Sequence, residues 1–195
     1  SYNNYPVLLP SSFNINWIIE IFDYLGIKYF LLENNKKYRV NELILTSDAH
    51  PSGNYNPEIV KKLRNIFLDK AEKNSNENEN RVWAYREHIS RAVGNFEQIE
   101  KILYKYNFQL VKTEQLNLVE KINLFKNTKV LAGTHSSGLV NMIFMSKGSK
   151  LFEVRDFQDT HKNALFSLAS ALDIDYFYTE RSEPLVGGDG KIDPI

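Results

Sequence analysis

From residue 81 onward, short runs rich in β-branched and aromatic residues alternate with amphipathic runs of helical period. No other feature narrows the possible folds as much. RVWAYR, FQLVKT, KVLAG, KLFEV and IDYFYT read as strands, and NFEQIEKILYKY, NLVEKINLFKN, GLVNMIFM and THKNALFSLASAL read as the helices between them. Phe96, Ile99, Leu103 and Tyr106 share one face of the first helix, and Asn117 and Glu120 stand at capping-box spacing before the second, with Asn in place of the usual Ser or Thr. Strands that alternate with helices pair in parallel and are covered on both faces. The expected fold is therefore α/β, a Rossmann-like parallel sheet flanked by helices.

The front of the chain is less regular. SYNNYPVLLPSSF reads as an extended lead-in. NINWIIEIFDYLG reads as a helix: Trp17, Ile18, Ile21, Phe22 and Leu25 recur at helical spacing, Asn14 can cap its start and Gly26 can end it. IKYFLL and VNELIL read as strands about a polar turn, TSDAHPSGNYNP as a loop, and PEIVKKLRNIFLDKA as a helix with Pro57 in its first turn and Val60, Leu63 and Phe67 inward. The polar, low-complexity run that follows has no apolar anchor and reads as a solvated linker. The expected domains are a partial or reduced first lobe over 1–72, a linker over 73–80 and the Rossmann-like lobe over 81–195. The Gly- and Pro-rich tail reads as surface.

Composition excludes several functions. The 195 residues contain no cysteine, so disulfides, thiolate metal sites and cysteine nucleophiles are ruled out. Lysine plus arginine balances aspartate plus glutamate at 24 each, which argues against nucleic-acid binding by bulk charge. No apolar run is long enough to cross a bilayer, no Asn-x-Ser/Thr occurs, and cytoplasmic placement is expected. No Gly-x-Gly-x-x-Gly follows a strand, against a dinucleotide oxidoreductase, and no Gly-x-Ser-x-Gly elbow supports a serine hydrolase.

The polar interruption in VLAGTHSSGLVNMIFM carries the chemistry. Gly133, His135, Ser136, Ser137 and Gly138 form a loop between a strand and a helix, where an open parallel sheet binds ligands. The helix start offers free N–H groups and a positive dipole end suited to a diphosphate, and the imidazole and hydroxyls can donate to phosphate oxygens. An ordinary strand-to-helix turn also favours Gly and Ser. Glu153 ends the next strand and is placed to take the hydroxyls of a ribose; a salt bridge to Arg155 or a surface lysine serves the same residue. Arg86 and Arg91 follow the lobe's first strand and can clamp a phosphate bidentately, or lie on the surface.

YREHISRAVGNFEQIEKIL, followed by FQLVKTEQLNLVEKINLFKNTKVLAGTHSSGLVNMIFMSKGSKLFEV, resembles the C-terminal part of glycosyltransferase family 61. Gly133, His135, Leu139, Asn141 and Glu153 match the family's Gly-x-His-Gly-Ala-x-Leu-x-Asn and strand-terminal Glu, and Arg86, Arg91 and Asn95 match its earlier Arg-rich segment. The stretch VNELIL to PEIVKKLRNIF also resembles what the family places before it. The chain departs from the pattern at Ser136-Ser137, where the family has Gly-Ala, and at Phe96, where it often has Glu. The family's earlier Asn-x-x-His and Asp-x-x-Pro-Arg segments are not found, which suggests a fragment or a reduced acceptor-side lobe.

The resemblance implies an inverting glycosyltransferase of the two-lobed GT-B type. It would move a sugar from a nucleotide sugar, UDP- or GDP-linked, to a hydroxyl of a glycan or glycoconjugate, without a cofactor or a divalent metal. Arg86, Arg91, Gly133, His135, Ser136, Ser137, Gly138, Asn141 and Glu153 would bind the donor. The base would come from the first lobe, where Asp48 and His50 are the candidates. Location peripheral to the membrane where polysaccharide is assembled, and association with a further lobe or a second copy, fit that role. A non-catalytic donor-binding or interaction lobe of a larger assembly is the alternative.

Overall fold

A computed structural model describes residues 5–49, 51, 53–71, 80–85, 95–156 and 163–180. The chain divides into two compact units, Ser1–Asp48 and Ala49–Ile195.

The first unit is a small β-α-β element. Strand β1, Val7–Pro10, lies within the expected lead-in and pairs in parallel with β2, Tyr29–Leu32. Helix α1, Asn16–Leu25, crosses between them. Its start uses no side-chain cap, so Asn14 does not play the expected part; Ile15 is the last extended residue before it. Its end is as expected. Gly26 takes a left-handed φ of 69°, which only glycine adopts without strain, and its N–H closes on the carbonyls of Asp23 and Phe22. Ile18 is buried but Trp17 is 56% exposed. The expected strand VNELIL does not form, and Leu45 is 83% exposed. An apolar run becomes a strand only where a neighbour completes its backbone hydrogen bonds, and the sheet of this unit contains β1 and β2 alone.

The second unit begins before the polar run. Helix α2, Pro57–Asp69, has Pro57 in its first turn and an Asn56 side chain accepting from the N–H groups of Glu58 and Ile59. It buries Val60 and Phe67, packs against the helical segments Ser137–Phe144 and Ala164–Ala171, and sets Phe67 edge-on to Phe144 at 5.6 Å. This packing sets the division of units at Asp48/Ala49, ahead of 73–80. Of that expected linker only Asn80 lies among the described residues.

The sheet follows as strands β3, Asn80–Tyr85; β4, Phe108–Lys112; β5, Thr128–Thr134; β6, Lys150–Arg155; and β7, Asp175–Glu180. All pairs are parallel, in the order β4-β3-β5-β6-β7. The chain is thus the Rossmann-like α/β fold that the alternation predicts. Helix α3, Phe96–Lys105, packs Ile99 and Leu103 against Trp83, Ala132 and Val154 on one face. Tyr106 caps this helix and is 52% exposed, contrary to its expected inward position. Helix α4, Leu118–Phe125, starts on the full capping box of Asn117 and Glu120. Helix α5, Ala164–Ala171, precedes β7.

GLVNMIFM is helical but not α. Ser137–Phe144 forms a 3-10 helix. Leu139 and Met142 within it are fully buried, and residues three apart eclipse one another in a 3-10 helix. Met145, the extended residue that ends it, is buried as well. This helix meets α2, α4 and α5, and Leu139 reaches the sheet at Gly133.

Candidate functional site

The strand order places the site. From β3 the chain steps outward to β4, then returns past β3 to β5 on its other side. The connections leaving β3 and β5 therefore diverge, and a crevice opens at the carboxyl ends of that pair, the usual ligand position in such sheets. His135 is the first residue beyond β5. Its N–H donates to the Val154 carbonyl at 2.9 Å, which ties the loop to β6 at that edge.

Register brings three side chains into line. Gly133 pairs with Glu153 and Glu153 with Tyr178, so Tyr176, two residues before Tyr178, shares their face. The absent side chain of Gly133 leaves that face open to Leu139. A Cβ there would sit 3.1 Å from the Ala84 carbonyl oxygen and 3.3 Å from Leu139. Glu153 is the centre of the group. Its Oε1 is hydrogen-bonded to His135 Nδ1, and its Oε2 accepts from the Tyr176 hydroxyl at 2.6 Å. The Glu153 side chain is 0% exposed and that of His135 19% exposed. A buried carboxylate is tolerable only with such partners. Burial and then the Glu153 carboxylate hold the Tyr176 proton on well above its ordinary range. Phe166 of α5 packs edge-on to the Tyr176 ring at 5.5 Å.

A carboxylate accepts and does not donate, so the Nδ1 atom of His135 carries the proton and Nε2 is the nitrogen left to face outward chemistry. This geometry differs from the expectation of a ribose-binding acid: both Glu153 oxygens are already engaged by protein, beneath the surface. The salt-bridge alternative is replaced as well, since Glu153 pairs with His135, while Arg155 lies over the Tyr178 ring at 5.3 Å.

The other loop residues have local tasks. Ser136 is buried and extended, with φ −164°, and Ser137 is exposed at the start of the 3-10 helix. Neither occupies a left-handed position, so serine is accommodated where the family pattern has Gly-Ala. Gly138 admits close packing, because a Cβ would lie 3.0 Å from Thr113 Oγ1. The two glycines thus let the protein approach itself, whatever ligand the loop faces. Asn141 donates to the Gly138 carbonyl at 2.8 Å and braces the helix from inside.

Arg86, Arg91 and His50 lie outside the described residues. Asp48 is exposed, in the irregular segment that replaces the expected second strand of the first unit. Two features escaped the sequence reading. Tyr176 is one, and its signal was only a tyrosine in the last strand. The other is Asp173-Ile174-Asp175, the chain's Asp-x-Asp spacing. It sits at the amino end of β7, on the opposite edge of the sheet from His135, and Asp173 pairs with Lys61 at 2.8 Å. Among the described residues no group of three or more His, Cys, Asp or Glu is placed to hold a metal ion, and none of their helices is long and apolar enough to cross a membrane.

The sequence model described as Glycosyltransferase 61 matches residues 6–152, about three quarters of the chain. The chain belongs to glycosyltransferase family 61. The family match covers the first unit from residue 6, the sheet through the first half of β6, and the loop that carries His135. Glu153 and Tyr176 lie just beyond it, so the partners of the family loop's histidine come from a part of the fold that the match does not reach. No curated protein matches the chain.

Proposed function

We propose that this chain binds a nucleotide-sugar donor at the crevice between β3 and β5 and transfers its sugar, with inversion, to a hydroxyl of a glycan or glycoconjugate. The observation that carries the reading is the buried Glu153 holding His135 Nδ1 at the carboxyl edge of the sheet, beside the strand-order switch. A histidine so fixed presents Nε2 to a ligand with little freedom left to lose on binding.

In the reaction the acceptor oxygen forms a bond to the anomeric carbon as the bond from that carbon to the phosphate oxygen breaks. The electron pair leaves with the diphosphate. The acceptor proton passes to a base, for which Asp48 and His50 remain the candidates. His135, the N–H groups at the start of the 3-10 helix, and Arg86 and Arg91 would stabilise the departing charge. Loss of one such donor raises the barrier by about 2.7–4 kcal/mol. A two-lobed GT-B arrangement, independence of a divalent metal and a cytoplasmic site of action belong to the same proposal.

The test is a thermal-shift and calorimetric titration with UDP, GDP, CDP and their sugars, with and without EDTA, on wild type and His135→Ala. A ligand of the folded state raises the melting temperature by mass action. One diphosphate that binds, survives EDTA and weakens in His135→Ala supports the donor site and names the nucleotide. Sugar transfer from that donor to a glycan then separates an enzyme from a non-catalytic donor-binding lobe. Absence of binding by every nucleotide would sink the reading.

A further inference from the structure

We propose that Tyr176 is a positioning residue for His135, acting through Glu153: its hydroxyl fixes the buried carboxylate so that the imidazole is held in one orientation with Nε2 toward the donor diphosphate. The inference rests on the donor-site reading above for its ligand, but its geometry stands without it.

A carboxylate can turn about its last torsion and can accept at either oxygen. With His135 alone as partner, Glu153 would be free to rotate, and the imidazole with it. The Tyr176 hydroxyl at 2.6 Å from Oε2 removes that freedom, since both oxygens are then claimed from opposite sides. Tyr176 is itself held. Its backbone pairs with Leu151 in the β6–β7 ladder, Phe166 packs against one side of its ring, and Tyr178 stacks beyond it at 6.0 Å. A chain of three side chains thus runs from β7 to the open edge at β5. The buried carboxylate also needs a second donor because desolvation leaves no water to supply one.

The proposal has a readout that packing alone does not move. The chain has four histidines, so ring-nitrogen NMR on histidine-labelled protein, with His135→Asn to assign the signal, reports the tautomer of His135 directly. Wild type should show a single form protonated at Nδ1. Tyr176→Phe should keep the Nδ1 form, since a carboxylate that can turn still only accepts, but should shift and broaden the His135 Nδ1 signal and bind the nucleoside diphosphate about tenfold more weakly, the loss of roughly one hydrogen bond's worth of preorganisation. Tyr178→Phe, whose ring is exposed, should leave the His135 signal as in wild type. A Tyr176→Phe protein with the wild-type position and width of the His135 Nδ1 signal overturns the proposal.

Should Tyr176→Phe not fold, the wild type decides. The Tyr176 hydroxyl proton should then resonate downfield and exchange slowly with water, and rapid exchange would overturn the idea. If no nucleotide binds wild type while the His135 signal responds as stated, the donor reading fails and the positioning role stands.

Discussion

The two edges of the sheet each hold a carboxylate and a basic side chain, and they use them in opposite ways. At the carboxyl edge Glu153 is fully buried between His135 and Tyr176. At the amino edge Asp173 pairs with Lys61 at 2.8 Å and stands 3.8 Å from Lys147, all three side chains at least 40% exposed. Water screens the second group and lets its members come and go. The first has no such recourse, so each bond it makes must be made by protein. Both edges carry a pattern that sequence reading associates with donor binding: a strand-terminal Glu on one, Asp-x-Asp on the other. Only the edge at the strand-order switch can join such residues to a crevice.

The comparison breaks first at Glu153. Glu153→Leu leaves the Tyr176 hydroxyl and His135 Nδ1 without an acceptor in a covered site, and should cost about 2–4 kcal/mol in denaturant unfolding. A smaller loss would mean that water enters the site and that the two edges are more alike than their burial suggests. Gly133→Ala comes next, at about 1–3 kcal/mol, because the new methyl meets the Ala84 backbone at 3.1 Å and that strand cannot yield as a side-chain tip would. Its effect on nucleotide binding should follow, since Leu139 and the 3-10 helix would be pushed from their seat.

The edges should also differ in the pH at which they matter. Folding raises the affinity of Tyr176 for its proton above the ordinary value of 10.0, so the unfolded chain ionises first as pH rises. Stability present at neutral pH is then lost above about pH 10, and Tyr176→Phe should flatten that alkaline arm. Asp173 behaves inversely. The hydrogen bond from Lys61 holds its carboxyl below the ordinary value of 3.8, so the unfolded chain takes up the proton first as pH falls. Its contribution is present above that value and lost below it. The smallest effect belongs here: Asp173→Asn should flatten the acid arm only slightly, and added salt should erase even that difference. An acid arm insensitive to salt would mean that the amino edge is less open than it stands in the fold.

Much of the helix placement was legible because its signals are local. Asn117 with Glu120 gives the start of α4, and Gly26 gives the end of α1, from a few adjacent residues in each case. His135 and Glu153 were both singled out, but as separate contacts to a ligand, and the fold bonds them to each other. Their union depends on the β5–β6 register, and that of Glu153 with Tyr176 on the β6–β7 register, which no local pattern encodes. The 3-10 helix was read simply as a helix: Leu139 and Met142, three apart, share a face at either period, and the tighter backbone hydrogen bonds that distinguish it leave no mark in the sequence. VNELIL misled for the converse reason, having the composition of a strand without a neighbour to complete it.

The return of the chain past β3 has a consequence for assembly. Residues on β3 meet their partners on β5 some fifty positions later, after α3, β4 and α4 have been made, as Ala84 does at Gly133. Closing so long a loop is slow, because its entropy is lost before the strand pairing repays it. β3 and β4, separated only by the crossover through α3, can pair earlier, whereas the His135 crevice must wait for β5, and its relay for β6 and β7. A ribosome extruding this chain would therefore release a sheet that is already growing but still blind to nucleotide, and ligand binding would report the final stage of folding.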